Sequence, residues 1–374
     1  MIRKSLLLKI YQAASMQRWN DQIRPVELSE LDKQAHKMIV AYVLGKCHER
    51  ATGEEINWIE IIEAGLFEFF QRIVLTDLKP PLFYEIKENK KKYEELNSWV
   101  YDKMSPIISH MGKNFCGRFK DYLAERIYPQ SRKIVGAAHF YVTKWEFDII
   151  ERANPNGYLI EEIKENISEK QKQYADLAGM KELLNSRALK DFIDICGQLR
   201  FQIRWSHLYR VPKTSVLGHM LIVAIFSYLF SHLVGAGKIR TVNNYFTGLF
   251  HDLPEVLTRD IINPVKRSVE GLDSLINEYE RQEMSRRIYK LIPEEWQAEI
   301  RMYTENEFSN IKDIRDGDLV KASDDLAAFI EAYLSLKNGI QTEDFLFAKY
   351  NLRNQYKSKV ICGIDFGEIY ADFD

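Results

Sequence analysis

The feature that most constrains this chain is a match of the sequence to itself. When His36 is set on His219 and the two stretches are read forward without a gap, Ile39-Val40-Ala41 falls on Ile222-Val223-Ala224 and Gly65-Leu66-Phe67 on Gly248-Leu249-Phe250. Asp77 then meets Asp260, and Pro81 meets Pro264. Just upstream, Arg18-Trp19 answers Arg204-Trp205 with a three-residue difference in length. Two matching triplets, an Asp and a Pro in one register point to an internal duplication, so the chain should fold as two related units. A charged stretch, EEIKENISEKQKQYADLAGMKE, separates the copies and reads as a solvated helix or linker. The boundary is set near 185, giving domains 1–185 and 186–374, with the residues after about 340 left unassigned.

The repeat also decides how the most apolar segment is read. Between Lys213 and Lys238 lie 24 residues without Lys, Arg, Asp or Glu, a length that suggests a membrane span. The corresponding first-half segment, HKMIVAYVLGKCHERATGEE, is charged and amphipathic. Related elements share an environment, so the second copy is expected to be a buried core helix, with no membrane as partner. Apolar residues recur at helical spacing, as in Leu326, Phe329, Ile330 and Tyr333, and no window alternates as a strand would. The expected fold is all-α: two tandem helical bundles arranged as a pseudo-dimer. Acidic residues number 54 and basic residues 52, a balance that argues against nucleic acid as a general partner. The four separated cysteines read as reduced, buried thiols, and the polar N-terminus does not read as a secretory signal, so a cytoplasmic location is expected.

The second copy carries a set of potential metal ligands. In GLFHDLPEVLTRDIINPVK, His251 and Asp252 offer an imidazole and a carboxylate from one turn, and Glu255 shares their face. His219 stands on the preceding apolar helix and Asp324 on a later one, DLVKASDDLAAFIEAY. A divalent cation suits such a mixed nitrogen and oxygen set, and a water of lowered pKa beside it suits phosphate-ester hydrolysis. Each residue also has a plainer reading: His219 as a core histidine, Glu255 as a surface carboxylate, Asp260 as a helix cap, Arg204-Trp205 as an anchor. Asp325 is expected to be exposed, and His207 and His232 receive no role.

These residues resemble the HD superfamily of metal-dependent phosphohydrolases, whose signature is H…HD…D. The bacterial HD-domain 5′-deoxynucleotidases are more similar still, through Arg204-Trp205, the run from His251 to Asp260, Pro264-Val265-Lys266, and Val320-Lys321 with Asp324, Leu326 and Ala328. The resemblance covers roughly residues 195–335. It implies His219, His251, Asp252 and Asp324 as ligands of one divalent ion, with Mn, Co, Mg, Fe and Zn not distinguished. It implies Glu255 as general acid or base, with Asp252 also at the reacting centre. It further implies Arg204 on the phosphate, Trp205 against the sugar where it crowds a 2′-hydroxyl, and Asp260 on the 3′-hydroxyl. Lys266 is a further candidate phosphate contact. The family has Glu before the first ligand and Ser after it, whereas this chain has Gly218 and Met220.

In the first copy, Glu68, Phe69 and Arg72 replace His251, Asp252 and Glu255, and His139 stands near the position of Asp324. That copy is expected to be catalytically dead, or to hold an altered site of His36, Glu68 and His139. The expected function is phosphate release from (deoxy)nucleoside 5′-monophosphates, a small-molecule nucleotide being the partner. The alternatives are a triphosphohydrolase or cyclic-nucleotide phosphodiesterase on the same site, or a nucleotide sensor that no longer turns its ligand over.

Overall fold

The computed structural model describes residues 2–76, 78–261 and 269–374. Its first half runs through α1 (Lys4–Ser15), α2 (Glu30–Thr52), α3 (Trp58–Leu75), α4 (Pro80–Glu88), α5 (Lys90–Ile108), α6 (Lys113–Leu123), α7 (Pro129–Ala153), α8 (Ile160–Lys172) and α9 (Ala178–Asn185). The second half follows with α10 (Arg187–Gln198), α11 (Val216–Leu233), α12 (Lys238–Phe250), the short α13 (Glu255–Thr258), α14 (Leu272–Glu283), α15 (Glu294–Thr304), α16 (Gly317–Lys337), α17 (Glu343–Tyr356) and α18 (Phe366–Ala371). Among the described residues the only sheet is a two-residue antiparallel pair, Val360 facing Asp365 and Ile361 facing Ile364. The fold is therefore all-α, as the helical periodicity requires.

Two central helices, α2 and α11, begin on the same device. Ser29 caps α2 by accepting the Asp32 N–H, and Ser215 caps α11 by accepting the Gly218 N–H. Each cap satisfies one of the donors that a helix start leaves open. In front of each cap, the chain closes a single antiparallel bridge, Gln17 to Ser29 and Ile203 to Ser215. Helix α11 is long and apolar enough to cross a membrane, with a mean hydropathy of 1.8, yet 89% of it is buried within the protein. It packs on α12, α16 and α2, so this apolar run serves as the central core helix.

One apolar cluster runs from Ile2 to Phe373 and takes in both halves. The Tyr42 ring lies 5.0 Å from Phe246 and 5.2 Å from Phe250. The Tyr11 hydroxyl donates to the Ala327 carbonyl at 2.8 Å, and the Tyr228 hydroxyl donates to the buried Glu63, which Arg118 also grips through two nitrogens. The Ser215 hydroxyl donates to Asp32, a residue 183 positions earlier. The tail left open by its sequence is ordered on this core: Phe366 meets Phe230 at 5.0 Å, and Tyr370 meets Phe329 at 4.6 Å. Cysteine burial is mixed, since Cys47 and Cys196 are buried whereas Cys362 is exposed.

This shared core predicts the behaviour of the second half alone. A fragment of residues 186–374 loses the Tyr42 ring over Phe246 and Phe250 and the Glu63 partner of Tyr228, and uncovers a contiguous apolar face. It should aggregate or self-associate in analytical ultracentrifugation. A soluble, fully active monomeric fragment would contradict the shared core.

Candidate metal centre

The site is assembled where α12 crosses α11. A Cβ added to Gly248 would stand 2.7 Å from the Ala224 nitrogen, so the two backbones touch as no larger residue allows. That approach brings His251, just past the end of α12, beside His219 on α11, with ring centroids 5.5 Å apart. Helix α16 supplies Asp324 from a third side. The ligating atoms of His219, His251 and Asp324 all lie within 4.8 Å of one another. His219 Nε2 is 2.9 Å from Asp324 Oδ1. Asp252 Oδ2 is 3.8 Å from His219 Nε2 and 3.2 Å from His251 Nε2. The four residues expected as ligands are thus brought together.

The surroundings prepare these groups for a cation. His251 Nδ1–H donates to the Gly248 carbonyl at 2.9 Å, which fixes the ring and turns Nε2 toward the carboxylates. Burial alone would lower the His251 pKa, but Asp252 and then Asp324 raise it to about 9. Burial would likewise raise the Asp252 carboxyl, yet His251, His219 and Arg204 hold it well below the ordinary carboxylate range. Lys321 Nζ grips Asp324 Oδ2 at 2.8 Å and Asp325 Oδ1 at 2.9 Å. Two imidazoles and two carboxylates in one buried cluster fit a single divalent cation, which would take the place of protons now held between them.

Arg204 reaches the same cluster: its Nη1 is 3.6 Å from Asp252 Oδ2 and its Nε donates to Glu331 Oε2 at 3.3 Å. The half-buried Trp205 donates its Nε1–H to the same Glu331 oxygen at 2.9 Å and meets Phe345 edge-on at 5.4 Å. Glu331 was not singled out in the sequence. Its signal was an acid within the apolar run of the helix, seven residues after Asp324 and so on the same face. It is fully buried, also receives Thr214 and Arg210, and has Oε1 3.9 Å from His219 Nδ1. Burial would raise its pKa, but Arg210 and Arg204 hold it down to about 2. The Glu-to-Gly change before His219 has a packing reason: a Cβ at Gly218 would stand 2.9 Å from Leu31 and 3.0 Å from Asp32, so α2 occupies the space.

The remaining candidates are placed as follows. Glu255 opens α13, with its N–H on the Asp252 carbonyl at 3.1 Å. Asp260 is half-buried and near enough to raise the pKa of Arg204. Lys266 lies outside the described residues, as does Asp77. Asp325 corrects an expectation: it is buried and accepts from Tyr356 at 2.7 Å and Gln355 at 3.1 Å, so the tail helix α17 covers it.

The first half repeats these contacts with other side chains. Arg18 and Trp19 donate to Glu146 of α7 as Arg204 and Trp205 donate to Glu331. Both tryptophans hold a left-handed backbone, φ 55° and 57°. Gly65 presses on Met38 as Gly248 presses on Ala224. These contacts, with the caps Ser29 and Ser215, set α2 and α11 in register 186 positions apart, so Lys33 rather than His36 answers His219. Accordingly Lys33 Nζ donates to His139 Nδ1, in the place of the His219–Asp324 contact. His36 instead donates Nε2–H to the Ile193 carbonyl and accepts from Arg200 on Nδ1, so it is turned away from Glu68 and His139.

The His251 environment sets an expected titration. In metal-free protein its imidazole should stay protonated to near pH 9, read by NMR. Because the folded pKa lies above the ordinary 6.5, the stabilisation from this ion pair is complete below about pH 6.5 and is lost as pH rises through about 9. A saturating divalent ion should remove the proton at neutral pH. An imidazole titrating near 6.5 without metal would contradict this electrostatic picture.

Comparison with known proteins bears on the half that holds these residues. Residues 196–361 match the family model of the HD domain. A 5′-deoxynucleotidase of Pectobacterium atrosepticum is 24% identical over 175 residues, covering 46% of this chain and 84% of that protein. The solved structure of an HD-domain phosphohydrolase from Listeria innocua aligns over 50% of this chain and 89% of its own, at 19% identity and a TM-score of 0.43. The segment 196–361 that matches the HD-domain model contains His219, His251, Asp252, Asp324, Arg204 and Glu331.

Proposed function

We propose that this chain is a metal-dependent phosphohydrolase that releases phosphate from (deoxy)nucleoside 5′-monophosphates, with its second half as the catalytic unit. The observation that carries this reading is the meeting of His219, His251, Asp252 and Asp324 with a guanidinium, Arg204, 3.6 Å from Asp252. A cation-holding set beside a group suited to phosphate is what phosphate-ester hydrolysis requires. The similarity to a 5′-deoxynucleotidase supports the substrate class.

In this reading His219, His251, Asp252 and Asp324 hold one divalent ion. Bound there, the ion supplies Lewis acidity and lowers the pKa of water at the site. Arg204 orients the phosphate by its donor fork, held in place by Glu331 from behind. Glu255 moves a proton at the leaving oxygen. Trp205, fixed by its Nε1–H on Glu331, packs on the sugar and excludes a 2′-hydroxyl, and Asp260 accepts from the 3′-hydroxyl. Lys266 is a second contact to the phosphate.

The proposal extends to the first half: residues 1–185 are an eroded copy of 186–374, docked on it about a pseudo-two-fold axis. The matched caps, bridges, Trp–Glu bonds and glycine contacts support the copy. The Ser215–Asp32 bond between α11 and α2 supports the docking, since elements related by a two-fold meet at the axis.

A panel of nucleoside mono-, di- and triphosphates, assayed with several divalent metals, tests the reaction. Phosphate should appear from monophosphates, and kcat/KM should be higher for deoxyribo- than for ribonucleotides. Pyrophosphate or triphosphate release, or equal kcat/KM for the two sugars, would overturn the substrate assignment. Glu255→Ala should keep the metal and lose turnover by roughly 10²–10⁴-fold, as expected for a positioned acid–base group. Unchanged turnover would remove Glu255 from the mechanism.

A further inference from the structure

The first-half counterpart of the metal centre is inverted in charge. Lys33 stands where the second half has His219, Glu68 answers His251, and His139 stands where Asp324 does. Lys33 and Lys37 are both fully buried. Lys37 pairs with Glu68 at 3.0 Å, but Lys33 has no carboxylate within 4.0 Å among the described residues, and its partner is the neutral acceptor His139. Arg18 and Arg72 close on the same group through Glu30, at 3.0 and 3.3 Å, and Arg18 and Arg200 through Glu146, at 2.8 and 2.9 Å. The cluster thus holds five basic side chains and three glutamates, with Lys33 left out of the ion pairs. Asp32 is also near, yet it is committed to Ser29 and Ser215, and basic groups still outnumber acids. Burial and the neighbouring cations press the Lys33 pKa well below the ordinary lysine range, as expected of an ammonium that lacks an anion.

The rim of the cluster is partly exposed, and aromatic rings lie beside His139. The side chains of Glu68 and Arg72 remain 28% and 27% exposed, and His139 is half-buried. Tyr84 stacks on Phe140, the residue after His139, at 6.3 Å, and Phe140 meets Tyr174 at 5.8 Å. Lys170 Nζ lies 4.7 Å over the Tyr84 ring.

We propose that the eroded site of the first half binds a phosphate-bearing nucleotide without hydrolysing it, the phosphate meeting Lys33 with Lys37 and Arg72 beside it, and the organic part lying against Tyr84. An anion there supplies the charge that Lys33 lacks, just as a cation satisfies the carboxylates of the second half. The inference rests on reading the first half as an eroded copy, and is independent of what the second half hydrolyses.

The test uses the full-length chain freed of metal, carrying His251→Ala with Asp252→Ala so that the second site holds no ion and turns nothing over. Equilibrium dialysis with inorganic phosphate, a nucleoside monophosphate and a nucleoside triphosphate, at constant ionic strength, should give one anion bound per chain, tighter for a nucleotide than for phosphate alone. Lys33→Met should weaken that binding roughly tenfold or more, the loss expected for a charge-assisted contact. No retention of any of the three anions, or retention unchanged by Lys33→Met, would overturn the proposal. A measurement without that substitution guards against a misfolded variant: crystals of the wild-type chain soaked in tungstate should show anomalous density within hydrogen-bond reach of Lys33 Nζ. Density confined to the second half would overturn the proposal as well.

Discussion

Everything at the metal centre depends on one buried carboxylate. Glu331 has no contact with solvent, yet it anchors Arg204, Trp205, Arg210 and Thr214 at once. A buried acid is costly unless fully paired, and here two guanidiniums and two further donors satisfy it. The consequence is positional. These donors lie in the segment just before α11, so their attachment to α16 fixes where Ser215 caps α11 and therefore the turn from which His219 points. Glu146 of α7 does the same for Arg18, Trp19 and the start of α2. The device is present in both halves, and only the side chains it presents to the site differ.

That difference is one of charge. In the second half, half-buried carboxylates converge on two buried imidazoles and call for a cation. In the first, Lys33 brings a basic nitrogen to the same place on the chain itself. A lysine amine and a divalent ion would compete for one small buried volume, so we expect Lys33, more than the substitution of His251 and Asp252, to close the first half to metal.

Much of this was legible in the sequence, and the gaps have physical reasons. The helical fold, the buried role of α11 and the convergence of His219, His251, Asp252 and Asp324 followed from spacing, residue type and resemblance. The pairing of His36 with His219 did not hold, because the repeat's register differs by three residues between α2 and α3. Three residues are nearly one helical turn, so either register keeps the same apolar face, and Ile39-Val40-Ala41 favoured the wrong one. Glu331 went unnoticed because an acid within an apolar run shows no partner until the fold brings Arg204 to it, 127 residues away. Asp325 was read as exposed because its cover, Tyr356, comes from a tail whose packing on the core no local pattern announced.

The central claim is that the two halves share a framework but only the second accepts a metal. Elemental analysis of the purified full-length chain, dialysed against a divalent ion, tests it most directly. The account predicts one ion per chain and none after His251→Ala with Asp252→Ala. Two ions per chain, or one ion that survives that double substitution, would contradict it.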